Sequence, residues 1–181
     1  MNHPAVPDTL RIVLADPHST GGGQVRYVAA LTSELRKRGH DVTVACRAGS
    51  LLERLIAPEN VRVLHLSYPR GLKPVQWVRD IRRCRSFLIE HRPHVLHVNG
   101  SQDHWLFASV NQWLGHPCAV VRSRHNTYPV FAHVLNRMLN RKWTDWQILV
   151  GPALMPLYTG HPVFDPSRVT VVQNGVDVDR F

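Results

Sequence analysis

Residues 10–39 read LRIVLADPHSTGGGQVRYVAALTSELRKRG, and a change of period inside that stretch decides the fold. Leu10 to Ala15 is a near-continuous apolar run, as in a strand covered on both faces, and it stops at Asp16 and Pro17. Beyond Gly21-Gly22-Gly23, the residues Val28, Leu31 and Leu35 recur at spacings of three and four, which predicts a helix over 24–38. Gly39 suits the end of that helix. Strand, short polar turn and helix form the first unit of an α/β domain.

The same alternation continues along the chain. Strands are expected over 41–46, 61–66, 94–98, 118–122, 146–150 and 169–172. A short helix should start at Ser50, with Glu53 completing a capping box. Over 74–91, Trp77, Ile81, Cys84 and Leu88 make one stripe, with Arg79, Arg82 and Arg83 on a solvated face. A helix over 103–114 stops at Gly115, and Phe131, Val134, Leu135, Met138 and Leu139 mark another apolar helical face. The expected fold class is therefore α/β: a doubly wound, mostly parallel sheet with helices on both faces, Rossmann-like. Residues 1–9, polar and holding Pro4 and Pro7, are expected to be extended or disordered, and residues 10–181 to form one domain.

Composition narrows the function classes. A chain of 181 residues, 44% hydrophobic, can bury roughly 70% of its unfolded surface. No apolar run reaches the ~18 residues that span a bilayer, and Met1 to Thr9 lacks a charged-then-apolar leader pattern, so a cytoplasmic location is expected. Cys46, Cys84 and Cys118 stand singly among apolar neighbours, which points to reduced, buried thiols. The formal charge of +9 favours anionic partners such as nucleotide phosphates or an anionic membrane face. The basic residues are dispersed, and no block resembles a nucleic-acid arm, so nucleic acid is not an expected partner.

Ligands of open α/β sheets bind beyond the carboxyl ends of the strands. Three loops stand there: Asp16, His18 and Gly21-Gly22-Gly23; Asn99-Gly100-Ser101-Gln102-Asp103; and Ser123-Arg124-His125-Asn126-Thr127, preceded by Arg122. Glycines leading into a helix N-terminus suit a phosphate, or else form a plain flexible turn. The dinucleotide pattern G-x-G-x-x-G is broken, because Arg26 takes its third glycine position. His125 can orient a sugar hydroxyl and the arginines can meet phosphate or carboxylate, or these residues are a solvated loop. His91, His94 and His97 do not read as metal ligands, since strand residues three apart point to opposite faces.

The glycine loop, His97-Val98-Asn99-Gly100-Ser101, Arg122-Ser123-Arg124-His125 and the closing Val171-Val172-Gln173-Asn174-Gly175-Val176-Asp177 with Arg180-Phe181 together resemble the amino-terminal domain of GT-B glycosyltransferases of family 4. The resemblance runs from Leu10 to Phe181. It implies one half of a GT-B fold that holds the acceptor of a retaining sugar transfer, with a nucleotide-sugar as co-substrate and no required cofactor or metal. It places Gly21, Gly22 and Gly23 near the donor diphosphate and the acceptor. His125 would face the reacting sugar, and Asp16, His18, Asn99, Ser101, Arg122 and Arg124 would lie on the acceptor side.

The resemblance further implies a glycan or lipid-linked acceptor, cell-envelope or lipopolysaccharide biosynthesis, and peripheral contact with an anionic membrane through Arg137 and Arg141 at the cytoplasmic face of the inner membrane. Family members carry a basic pair and two spaced glutamates in a second, donor-binding domain; no glutamate pair here has that spacing, so the chain alone is expected to be inactive. Gly151-Pro152 stands where the family has a serine or threonine opening a helix, and Pro156 predicts a brief helix there. A dinucleotide-binding oxidoreductase domain and a basic, non-catalytic anion- or membrane-binding module are the alternatives.

Overall fold

A computed structural model describes residues 7–175. Residues 1–6 of the expected extended terminus lie outside the described residues, as do Val176, Asp177, Arg180 and Phe181 of the closing motif. Seven strands, β1 (Arg11–Ala15), β2 (Asp41–Cys46), β3 (Arg62–His65), β4 (Val95–Val98), β5 (Ala119–Arg124), β6 (Trp146–Leu149) and β7 (Val169–Val171), form one sheet. Every pairing is parallel and the strand order is β3-β2-β1-β4-β5-β6-β7. The order reverses between β1 and β4, the point at which doubly wound sheets open a crevice.

Alternation along each strand sends its apolar side chains to both faces. Ile12 and Leu14 of β1 join Val42 and Val44 of β2 against Val25 and Val28 of α1 (Gly23–Lys37) and Leu52 and Ile56 of α2 (Leu51–Ile56). Val13 and Ala15 face the other way, with Leu96, Val98 and Val120. There they pack against Cys84, Phe87 and Leu88 of α3 (Pro74–His91), Leu106 and Phe107 of α4 (Ser101–Trp113), and Leu139 of α5 (Val134–Lys142). Burial on both faces explains why the strands read as apolar runs. Cys46, Cys84 and Cys118 are free and buried, and burial pushes all three thiols up.

Local chemistry sets the ends. Gly39 and Gly115 adopt φ of +83° and +85° after α1 and α4, where a side chain would be strained. Ser50 Oγ accepts from the Glu53 N–H at 3.3 Å, while the Glu53 carboxylate reaches back to the N–H of Gly49, one residue before a regular capping box. Pro152–Leu157 forms a 3₁₀ turn with Pro156 inside it, the brief helix expected there.

The apolar face expected from Phe131 onward differs. The α5 helix starts only at Val134, and Phe131, Val134 and Leu135 are exposed; Leu139 is the residue of that set that enters the core. Periodicity marks an amphipathic helix without saying what covers its apolar side.

Candidate functional site at the strand order reversal

The loops after β1, β4 and β5 meet where the strand order reverses. Asp16 is buried at the end of β1 and accepts hydrogen bonds from the His18 backbone N–H (2.7 Å), His18 Nδ1 (2.9 Å) and Gln24 Nε2 in the first turn of α1 (2.7 Å). The bond to Asp16 raises the His18 pKa, against the opposing effect of burial. Gln24 thus ties the glycine loop to the end of β1. A Cβ on Gly22 or Gly23 would meet no protein atom within 4 Å, so open space adjoins the N-terminus of α1. The first turn of that helix has neither a side-chain cap nor an acidic residue. Its N–H groups are therefore suited to an external acceptor.

Asn99, buried after β4, fixes the protonation of His125. Its Nδ2 donates to the Ala15 carbonyl at 3.0 Å, so its Oδ1 must accept from His125 Nε2, also 3.0 Å away. His125 is then the Nε2–H tautomer, with Nδ1 as its lone-pair nitrogen. Burial, with the nearby Arg122 guanidinium, holds its pKa down at about 4, so the ring is neutral at physiological pH. Tyr27 of α1 packs edge-on against it, with ring centroids 4.8 Å apart. Below lies a second histidine, His97, whose Nε2 is 2.7 Å from Ser123 Oγ, with the Tyr27 hydroxyl 3.4 Å from the same oxygen. Burial lowers His97 to about 4 as well.

Gly100 closes the junction. A Cβ there would lie 2.3 and 2.5 Å from the Pro17 ring, so the loops after β1 and β4 touch at a point that admits only glycine. Asp103, buried at the start of α4, accepts from the N–H groups of Asn99 (2.7 Å) and Gly100 (2.9 Å). Arg122, also buried, donates to the Gly100 carbonyl. Burial raises the Asp103 pKa and lowers that of Arg122; in each case the other's charge opposes the shift.

The structure divides the residues expected to act together. Asp16, His18, Asn99 and His125 gather at the strand order reversal, Asp16 and Asn99 buried beneath the half-exposed His18 and the partly buried His125. Ser101, Arg122 and Arg124 instead line a cavity of about 200 Å³ on the α4–α5 side of β5. Arg124 braces the loop after His125, donating to the carbonyls of Asn126 and Tyr128. His91, His94 and His97 go to separate partners: the Phe87 ring, the N–H of Arg11, and Ser123. Sequence reading missed Gln24 and Tyr27, and named His97 and Asp103 without giving either a role. The signal for Gln24 and Tyr27 was their place in the first turns of the helix that follows the glycines. Buried partners on neighbouring strands leave no such mark.

Comparison with known proteins agrees with this fold. No curated protein sequence matches the chain. Among solved structures, a glycosyltransferase from Rickettsia africae ESF-5 superposes with a TM-score of 0.81 at 14% identity, over 96% of this chain and 45% of that one. Anabaena Alr3699/HepE, solved with UDP and glucose, gives 0.73 at 14% identity, over 94% and 46%. The lipopolysaccharide outer core galactosyltransferase WaaB gives 0.67 at 10% identity, over 93% and 46%. At such identities the likeness is one of fold, that of a GT-B half domain, and this chain spans less than half of each of those structures. The sequence itself matches the model of Glycosyltransferase Family 4 over residues 21–180. This chain belongs to Glycosyltransferase Family 4.

Proposed function

We infer that this chain is the acceptor-side half of a retaining hexosyltransferase, which moves a sugar from a nucleotide-sugar to a glycan or lipid-linked acceptor of the cell envelope. The observation that carries the reading is the neutral His125, locked as its Nε2–H tautomer by Asn99 at the strand order reversal. Its Nδ1 can accept a hydrogen bond from a sugar hydroxyl and hold the ring of the reacting sugar in place. An imidazolium could not accept that bond. The open N-terminus of α1 beside Gly22 and Gly23 is suited to an oxygen of the donor diphosphate. In this reading the nucleotide-sugar is the co-substrate and no metal is required. The fold shared with a UDP- and glucose-bound enzyme and with a lipopolysaccharide galactosyltransferase is compatible with it. The family match favours it over the oxidoreductase and non-catalytic readings.

The test is sugar transfer by this chain joined to a donor-binding half, followed as nucleoside diphosphate release on cell-envelope glycans. His125→Ala should lower turnover by about 10²-fold or more. Unchanged turnover would remove His125 from the mechanism, and a product of inverted anomeric configuration would remove the retaining assignment.

Membrane contact belongs to the same proposal. Phe131, Val134 and Leu135 are exposed beside Arg137, Arg141 and Lys142, a pairing of apolar and basic groups that suits an anionic bilayer surface. No helix among the described residues is long and apolar enough to cross a membrane.

A further inference from the structure

Two arginines meet at the cavity beside β5. Arg122 and Arg124 both line it and no carboxylate does. Arg122 is 5% exposed, and its one hydrogen bond runs to the Gly100 carbonyl. Asp103 supports its charge from the α4 side, and its further N–H donors are open to an acceptor in the cavity.

The remaining walls carry further polar groups. Among the described residues, Tyr158 OH and Gln147 Oε1 are buried with no partner, as is Asp103 Oδ1, which does not line the cavity. The Thr144 hydroxyl donates to the Leu139 carbonyl at 2.8 Å, so its oxygen accepts from His104 Nε2 at 2.8 Å. His104, held neutral by burial, is left with Nδ1 as an acceptor. The wall therefore combines cationic donors with neutral acceptors, a set that fits an acid group and hydroxyls on one ligand. About 200 Å³ is below the ~300 Å³ at which pockets for drug-sized ligands begin, too small for a nucleotide.

We propose that this cavity is a subsite for an anionic sugar residue, one bearing a phosphate or carboxylate, carried by the acceptor. Its place rests on the acceptor-side reading given above: Asn126, the residue after His125, lines the cavity, so an extended acceptor that passes this loop would present a further sugar here. The acid group meets Arg122 and Arg124, and hydroxyls donate to His104 Nδ1.

The experiment is a titration of the chain at physiological salt with glucose 6-phosphate, glucuronate and glucose, read by NMR on the side-chain amide of Gln147 and the indole of Trp105. At least one anionic sugar should bind tenfold or more tightly than glucose, and the two anions tell phosphate from carboxylate. Arg124→Gln should weaken that binding at least tenfold, and Tyr158→Phe, which keeps the ring stacked on Phe164, several-fold. Equal binding of charged and neutral sugars would overturn the proposal. So would shifts confined to residues 21–23, or anion binding unaffected by both substitutions. Anion binding without any sugar transfer by the joined protein would sink the transferase reading and leave the subsite. Transfer that depends on His125 but ignores acceptor charge would do the reverse.

Discussion

The Asn99–His125 pair makes a statement about single protons. With its pKa near 4, the His125 ring should show no titration between pH 8 and 5 in nitrogen-resolved NMR, and the Nε2–H tautomer should dominate throughout. A midpoint near 6.5 would mean that the ring is open to water and not held by Asn99. Gly100 is the second residue-scale case. A methyl group there overlaps the Pro17 ring, which cannot swing aside as a long side chain could. Gly100→Ala should destabilise the fold by about 1–3 kcal/mol, the range for overpacking, measurable by denaturant unfolding. No loss of stability would show that the two loops part easily.

Among the elements, α5 is informative because its exposed side is so apolar. Replacing Phe131 and Leu135 together by serine should leave the unfolding free energy within about 0.5 kcal/mol, as for surface positions. The same change should abolish binding to anionic vesicles if that face meets a membrane; retained binding would sink the membrane contact. This helix also shows where legibility in the sequence ends. The strands over 41–46 and 146–150, the latter one residue too long, and the helix over 74–91 were readable because burial on both faces leaves an apolar run, and burial on one face leaves a stripe. The loops after β1, β4 and β5 were readable as the site through a rule of sheet topology. Period says nothing of a covering partner, so Phe131 and Leu135 read as one apolar face with Leu139 and turned out exposed. Nor does it show cross-strand pairing, so Ser123 beneath His97 and Arg122 beneath Gly100 carried no signal. The separation of Arg122 and Arg124 from His125 is the clearest instance. Neighbours in sequence at a strand end, they serve different spaces, because successive strand residues point to opposite faces.

The molecule as a whole stores three histidines, His97, His104 and His125, in neutral form, each with its pKa lowered by burial. The unfolded chain takes up protons at these residues near pH 6.5, whereas the folded one resists until about 4 at His97 and His125. Their contribution to stability is therefore intact above about pH 6.5 and is lost as pH falls towards 4, where it levels off. Thermal melts at pH 7, 6 and 5 should show a progressive decline; a flat series would contradict the buried, neutral assignment. Taken alone, the chain should turn over no nucleotide-sugar at a useful rate. On the proposed acceptor-side reading this chain forms one wall of a crevice, which by itself neither holds two substrates at reacting distance nor excludes water. Robust transfer by the purified chain without an added donor-binding half would refute this.

The strand order has a consequence for synthesis. Asn99 donates to the carbonyl of Ala15, 84 residues earlier, so at ordinary translation speeds of about 5–20 residues per second the ribosome needs roughly 4–17 s to deliver the second partner after the first. Until then β1 has an unpaired side, with β2 its one available neighbour. The crevice thus cannot close until β4 and the loop after it have emerged, and its ability to bind a sugar would report that the emerging sheet has been completed across its centre.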